Sequence, residues 1–213
     1  MNRAEIKARA KEFAFNNKWN IWKPTLIYYG IYYGAAVLLG MLLVILRQDS
    51  EGIVASLLDL GLGLGTAPMV VGSTFYLIKL VSGKKVDVMQ DLFSKYNIFG
   101  LIILSSLYIG IITSLWTLLF IIPGIIYAYK VIMVPYLLAD NGAENKSIRE
   151  LVETSKTMMD GHKMDYFVFE LSFIGWILLG IITCGIAYIW VIPYMDVANV
   201  MYYQELKKLK NIK

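Results

Sequence analysis

The sequence contains very few of the residue types from which enzyme sites are usually built. It has one cysteine, Cys184, and one histidine, His162, so a single chain forms neither an internal disulfide bond nor a histidine-based metal cluster. The G-x-S-x-G motif of serine hydrolases and the H-E-x-x-H motif of zinc peptidases are both absent. We therefore expect no catalytic residue, no metal site, no cofactor and no enzymatic activity.

Charged residues are also scarce, and long apolar runs take their place. Charged side chains make up 17% of the 213 residues and apolar ones 58%, whereas soluble domains contain about 45–50% apolar residues. An apolar run of about 20 residues crosses the hydrocarbon core of a bilayer as a helix. Six such runs lie near residues 24–46, 53–78, 97–119, 122–139, 166–183 and 185–205. They predict an all-α membrane helix bundle that forms a single domain over residues 1–213.

Basic residues are distributed unevenly among the segments that flank these runs. Of the 20 Lys and Arg residues, 18 fall before the first run, after the last run, or in the second and fourth connections. Arg47 is the one basic residue in the other connections, and Lys130 lies inside the fourth run. Because short loops rich in Lys and Arg remain in the cytoplasm, we expect both termini to be cytoplasmic. The same loops would attract anionic lipid headgroups, and no nucleic-acid partner is expected.

The three outer connections are short, and each closes a hairpin of two runs. We expect them at residues 47–52, at Ile122-Pro123-Gly124 and at Thr183-Cys184-Gly185, because Pro and Gly favour turns. Each hairpin follows a polar segment that ends in an aromatic residue, and the later two turns resemble each other. We interpret the chain as three divergent hairpin repeats, although short apolar hairpins are also alike by composition alone.

One cytoplasmic connection has the pattern of an amphipathic helix over residues 147–160. Ser147 and Glu150 have the spacing of a capping box, and Gly161 suits the end of a helix. Apolar residues recur on one face of this helix and charged residues on the other. The helix is expected either to lie along the inner headgroups or to dock on the cytoplasmic end of the bundle.

Four ionisable residues fall inside the apolar runs, namely Asp59, Lys130, Glu170 and Asp196. A charge at the bilayer centre costs about 2.5–3.5 kcal/mol on insertion scales, so each is expected to face protein or water. Asp59 and Lys130 lie at similar distances from their outer turns, and either an ion pair or separate contacts with water or carbonyls would satisfy them. Asp196 follows Pro193 and is expected either to bind an ion or proton, or to hydrogen-bond Asn199 or a tyrosine.

Small and aromatic residues indicate two further features of the first two runs. G-x-x-x-G spacing, which is typical of close helix contacts, occurs at Gly30 and Gly34 and again at Gly61 and Gly65. The second of these is not a phosphate-binding loop, because no strand precedes it and no Gly-Lys-Ser/Thr follows. A tyrosine cluster in the first run is interpreted as core, as interfacial belt or as an aromatic ligand site. It consists of Tyr28, Tyr29, Tyr32 and Tyr33.

A series of short motifs fills the chain from Ile122 onward. They are PGII (123–126), LAD (138–140), SK (155–156), M-x-GHK (159–163), LSFIGW (171–176), T-x-GI (183–186), PY (193–194) and YY (202–203). This series resembles the DUF975 family of bacterial integral membrane proteins, which is also similar to the membrane region of some glycerophosphodiester phosphodiesterases. In the first half, the agreement is mainly in the apolar runs and in the DLFS segment at 91–94. The resemblance implies a multi-pass protein of the bacterial plasma membrane with no established activity.

Two functions are compatible with these features. The function that we expect is that of an accessory, lipid-interacting or partner-binding membrane protein, whose partners are membrane lipids, another membrane protein or further copies of the chain. The alternative is a transporter or channel for a small solute or ion that uses Asp59, Lys130 and Asp196 inside the membrane. A variant Asp196→Asn that loses its phenotype at unchanged protein abundance would favour transport.

Overall fold

The computed structural model describes residues 2–45, 52–140 and 143–212, and this part of the chain contains helices and turns but no β-strand. Its α-helices are α1 (Arg3–Ile45), α2 (Ile53–Val81), α3 (Val88–Phe93), α4 (Phe99–Leu119), α5 (Ile121–Val131), α6 (Val134–Ala139), α7 (Ile148–Met159), α8 (Lys163–Leu171), α9 (Ile174–Ile182) and α10 (Tyr188–Leu209). The predicted all-α class is confirmed. Arg47 and most of the 47–52 connection lie outside the described residues.

Five segments of the described chain are long and apolar enough to cross a membrane. They are α1, α2, residues 88–119, residues 121–139 and residues 163–182. These segments contain the first five predicted runs, apart from the last residue of the first run and of the fifth. The sixth run corresponds to α10, which is more polar because it contains Asp196, Asn199 and several tyrosines. The six-run arrangement as a whole stays a prediction.

The core of the molecule forms where α10 contacts both α1 and α2. The inward face of α10 carries Val197, Ala198, Tyr202 and Leu206, all of them fully buried. The ring of Tyr166 from α8 packs edge-on against Tyr202, with 4.9 Å between the ring centroids. Because α10 is covered on this face by other helices, it needs fewer lipid-compatible side chains than a helix surrounded by lipid.

Two of the predicted runs are divided into two helices each. The run 122–139 is interrupted at Ile132-Met133, between α5 and α6, and the run 166–183 at Ser172-Phe173, between α8 and α9. Pro135 accounts for the first interruption, because proline has no N–H to donate to the carbonyl of Val131, one turn earlier. These runs are therefore not continuous helices.

The turn between α4 and α5 is not where the sequence predicted it. Phe120 alone breaks the helix, with extended backbone angles (φ −153°, ψ 121°), and α5 begins at Ile121. Pro123 and Gly124 consequently lie within the first turn of α5, where proline is tolerated because the first helical N–H groups have no intrahelical partner. A Cβ atom on Gly124 would overlap Thr117 of α4, so this glycine permits a close contact between the two helices.

The turn between α9 and α10 is confirmed at residues 183–185. Cys184 and Gly185 have positive φ angles of 49° and 92°, the second of which favours glycine. Since Gly124 is helical and Gly185 is not, the two turns that look alike in sequence do not share a conformation. The threefold repeat stays a prediction.

The amphipathic helix is confirmed as α7, and it docks on the bundle. Ser147 accepts a hydrogen bond from the Glu150 N–H, while the Glu150 carboxylate accepts one from the Ser147 N–H at 2.6 Å. The second of these bonds lowers the pKa of Glu150 below its usual value. Leu151, Met158 and Met159 are fully buried, so the apolar face contacts protein rather than headgroups.

Candidate functional site in the helix bundle

The Asp196 carboxyl group borders an open cavity of about 320 Å³ between α1, α2, α6 and α10. Asp196 lies in the turn that follows Pro193 in α10, and its side chain is half-buried. Within the described residues, no group donates a hydrogen bond to this carboxylate and no cation lies within 4.0 Å of it. An ionisable group in this position is unusual, because charges that are partly buried in protein are normally paired or hydrogen-bonded.

The structural hydrogen bonds expected for Asp196 are not formed among the described residues. The side-chain oxygen of Asn199 accepts a hydrogen bond from the Tyr166 hydroxyl at 3.2 Å. The Tyr203 hydroxyl donates to Asp140 at 2.8 Å. A structural hydrogen bond between Asp196 and Asn199 or a tyrosine is therefore absent from the described chain, and a role for Asp196 in binding an ion or proton stays a prediction.

Hydroxyl groups and aromatic rings form much of the remaining cavity wall. They belong to Thr25, Tyr28, Tyr29, Ser73, Thr74 and Tyr136. Ser73 and Thr74 donate their hydroxyl protons to the Val70 carbonyl at 2.7 and 3.3 Å, so their oxygen lone pairs remain as acceptors. The rings of Tyr28 and Tyr29 lie 5.0 Å apart. A carboxylate, hydroxyl oxygens and aromatic faces are together suited to binding a cation that carries N–H or methyl groups.

Backbone groups are freed at Pro193 and at the α8–α9 interruption, and they are hydrogen-bonded by side chains of α1, which is far away in sequence. Pro193 leaves the Ile189 carbonyl without its helical donor, and the indole N–H of Trp22 donates to this carbonyl at 3.0 Å. At the α8–α9 interruption, the Lys7 ammonium donates to the backbone carbonyl of Ser172 at 3.2 Å and to its hydroxyl at 2.8 Å. These freed backbone groups are thus already hydrogen-bonded within the protein and are not available to bind a solute.

Ser155 of α7 has the same role at the α5–α6 interruption. Its hydroxyl donates to the Lys130 carbonyl at 2.9 Å and accepts from the Met133 N–H at 3.2 Å. Ser155 and Met133 are both fully buried, so water does not replace these bonds. Helix α7 therefore holds the divided helix in place.

The other predicted intramembrane residues have protein partners or lie at a helix end. Asp59 accepts a hydrogen bond from the Tyr32 hydroxyl at 2.9 Å. Of the two alternatives that the sequence left open, the ion pair between Asp59 and Lys130 is not formed in the described chain. Glu170 accepts a hydrogen bond from the Tyr129 hydroxyl at 3.0 Å. Lys130 lies in the last turn of α5, where a cation interacts favourably with the helix dipole.

The four glycines predicted to make close helix contacts do not make them within the described chain. A Cβ atom added to each would meet no atom of another segment within 4 Å, and this holds for Gly30, Gly34, Gly61 and Gly65. The close contacts lie elsewhere, because a Cβ on Gly72 would overlap the Leu92 carbonyl and one on Gly180 would overlap the Tyr188 ring. The spacing of glycines does not specify which neighbouring helix approaches them.

Two charged contacts are the main feature that the sequence did not predict, one between α2 and α3 and one between the end of α6 and α10. Lys79 lies 2.6 Å from the carboxylate of Asp91, which is 2% exposed. Asp140 accepts hydrogen bonds from the Tyr203 hydroxyl at 2.8 Å and from the Lys207 ammonium at 2.5 Å. Because the charges in both contacts are paired, these contacts connect helices rather than offering a ligand site. The available signal was that Asp91, Asp140 and Tyr203 belong to the motifs of the family resemblance.

Comparison with known proteins finds a family match in the second half of the chain. No curated protein and no solved structure matches the chain. Residues 118–210 match a family model whose description is "Protein of unknown function (DUF975)". The match extends from the end of α4 to the end of α10 and includes Ser155 and Asp196, whereas the DLFS segment lies outside it. The resemblance to the DUF975 family is thus confirmed over residues 118–210.

Proposed function

We propose that the chain is a multi-pass membrane protein that binds a small organic cation at Asp196 in the course of transporting it. The observation that supports this most is the Asp196 carboxylate, which has no partner among the described residues and borders a cavity of about 320 Å³. A carboxylate in such a place is costly unless a ligand, water or proton compensates its charge. A cationic ligand supplies this compensation directly.

The cavity wall favours an organic cation over a bare metal ion. Its volume lies at the lower end of the range of about 300–1,000 Å³ that is usual for small-molecule sites. The faces of Tyr28 and Tyr29 attract alkylammonium groups by cation–π interaction, worth about 0.5–2 kcal/mol. Ser73 and Thr74 provide oxygen acceptors for N–H groups. The tyrosine cluster is then, in part, an aromatic ligand site.

Membrane topology belongs to the same proposal. In the arrangement that we propose, both termini lie in the cytoplasm of a bacterial cell and Asp196 lies within the last of six runs. The N-terminal part of α1 lies beside the α9–α10 hairpin, since Trp22 bonds to Ile189 and Lys11 lies against Trp176. Interrupted helices and a charge near the middle of the membrane are common features of transporters. The proposal departs from the order of preference expected from the sequence, in which an accessory function came first.

Binding is tested by thermal unfolding of the purified protein in detergent micelles. Choline chloride, n-butylammonium chloride and sodium chloride are compared at equal ionic strength. An organic cation present at 100 times its Kd stabilises the folded state by about 2.7 kcal/mol. We expect choline or butylammonium to raise the unfolding temperature of the wild type, and Asp196→Asn to abolish the increase.

Asp59→Asn is the matched control, because Asp59 is also an aspartate in a predicted run but is bonded to Tyr32. This variant should keep the response to the organic cation. Proteoliposomes then test transport, by uptake of radiolabelled choline with wild type and with Asp196→Asn. The proposal fails if neither organic cation exceeds sodium, or if the Asp196 and Asp59 variants respond alike.

An accessory, lipid-interacting function is the second candidate. It is supported by an apolar groove beside α1 with two lysines at its edge. This function needs no solute at Asp196, so Asp196→Asn would leave it unchanged.

A further inference from the structure

A narrow groove of about 70 Å³ lies between the N-terminal half of α1 and the α9–α10 hairpin. Its wall is almost entirely apolar and includes Phe15, Trp176, Ile189 and Trp190. Phe15 is 67% exposed and Trp190 is 48% exposed, so large apolar surfaces remain uncovered by the rest of the chain. Such surfaces require an apolar covering, either lipid or protein.

Two lysines stand at the edge of this groove. Lys11 and Lys18 both line it, and the Lys11 ammonium lies 5.7 Å from the centre of the Trp176 ring. Among the described residues, neither lysine has a carboxylate within 4.0 Å. Two other cations of α1 differ in this respect, since Arg3 is paired with Asp165 at 3.5 Å and Arg9 with Glu205 at 3.7 Å.

The dimensions and charge of the groove point to one type of occupant. A helix with its side chains is about 10–12 Å across and does not enter so narrow a groove. The groove has room for a short stretch of an acyl chain, the rest of which would lie against the exposed apolar rings beside it. The unpaired ammonium groups at the edge attract a negative charge that is attached to this chain. Trp176 and Trp190 have the amphipathic rings that are favoured at headgroup depth.

We infer that this groove is a binding site for an anionic phospholipid, with an acyl chain against the apolar wall and the phosphate between Lys11 and Lys18. The inference gives the second candidate function a location, and it does not depend on a cation at Asp196. A phospholipid with one net negative charge, such as phosphatidylglycerol, matches the positive charge of the two lysines better than zwitterionic phosphatidylcholine does.

The test measures quenching of tryptophan fluorescence by brominated phosphatidylglycerol in phosphatidylcholine vesicles that contain the full chain. Trp19→Phe and Trp116→Phe first remove two exposed tryptophans that do not line the groove, which leaves Trp176 and Trp190 as reporters with Trp22. In the wild type, brominated phosphatidylglycerol should bind to the groove in preference to the surrounding phosphatidylcholine and quench these tryptophans. The double variant Lys11→Gln/Lys18→Gln should lower this preference roughly 30-fold, which corresponds to a factor of about five for each lysine.

The matched control is Lys84→Gln/Lys85→Gln, which removes the same charge from exposed positions outside the groove. This variant and Asp196→Asn should keep the preference, which separates the lipid site from the proposed cation site. Inorganic phosphate should not compete, because it offers no acyl chain. Equal losses in the two lysine double variants, competition by phosphate, or no preference in the wild type would each overturn the inference.

Discussion

The link between α7 and the divided helix α5–α6 gives a prediction that isolates one hydroxyl group. Ser155 donates to the Lys130 carbonyl and accepts from the Met133 N–H, at 2.9 and 3.2 Å. We expect Ser155→Ala to destabilise the protein, because alanine keeps the backbone and most of the volume but removes both bonds. The Met133 N–H then has no partner, since Met133 is fully buried.

The size of this effect follows from two contributions. An intramolecular hydrogen bond contributes about 0.5–1.5 kcal/mol to stability, and a buried donor without a partner costs about 1–3 kcal/mol. The loss of the bond to Lys130, together with the unpaired Met133 N–H, gives about 2–4 kcal/mol in total. For a chain of this length, that corresponds to a fall in unfolding temperature of about 5–10 °C.

The assay is thermal unfolding in detergent micelles, followed by circular dichroism, with amide hydrogen exchange of Met133 as a second measurement. Thr157→Ala is the control, because the Thr157 hydroxyl bonds only to the Glu153 carbonyl of its own helix. Its effect should remain within about 0.5 kcal/mol. If Ser155→Ala costs no more than Thr157→Ala, and exchange at Met133 is unchanged, Ser155 does not hold the interruption.

Two further predictions concern the Asp59 contact and the topology. The effects of Asp59→Asn and Tyr32→Phe on the free energy of unfolding should be non-additive by about 0.6 kcal/mol or more, because the two side chains are hydrogen-bonded. The effects of Asp59→Asn and Lys130→Met should be additive. The reverse pattern would contradict the observed contact. Cys184, which is exposed in the α9–α10 turn, should react with a membrane-impermeant maleimide on intact cells. In a Cys184→Ser background, His162→Cys should react only after permeabilisation, and the opposite result would contradict cytoplasmic termini.

The features that the sequence predicted correctly are those that depend on neighbouring residues. The apolar runs give helices, and the spacing of Ser147 and Glu150 gives the capping box of α7, because each depends on a few adjacent positions. Gly185 marks a turn for the same reason. The turn predicted at Pro123 and Gly124 is wrong, because the single extended residue Phe120 already ends α4 and begins the turn three residues earlier.

The features that the sequence did not predict depend on which helices become neighbours. Counting residues from the turns placed Asp59 and Lys130 at similar depth, but depth does not determine lateral position. In the structure α1 packs against α2, so Asp59 contacts Tyr32, which lies 27 positions earlier in the chain. The bond between Ser155 and the α5–α6 interruption likewise joins residues 22 and 25 positions apart, and no local pattern contains that information.

The two interrupted runs, together with Pro193 inside α10, narrow the choice of functional site. Interrupted helices in membrane proteins often expose backbone groups that bind solutes, which would make each interruption a candidate. Here Trp22, Lys7 and Ser155 already bond to the groups freed at these places. The same reasoning applies to the carboxylates, because tyrosine hydroxyls already donate to Asp59 and Glu170. Of the three carboxylates predicted inside the membrane, Asp196 alone has no hydrogen-bond or ion-pair partner in the described chain, and it is the one that borders a cavity.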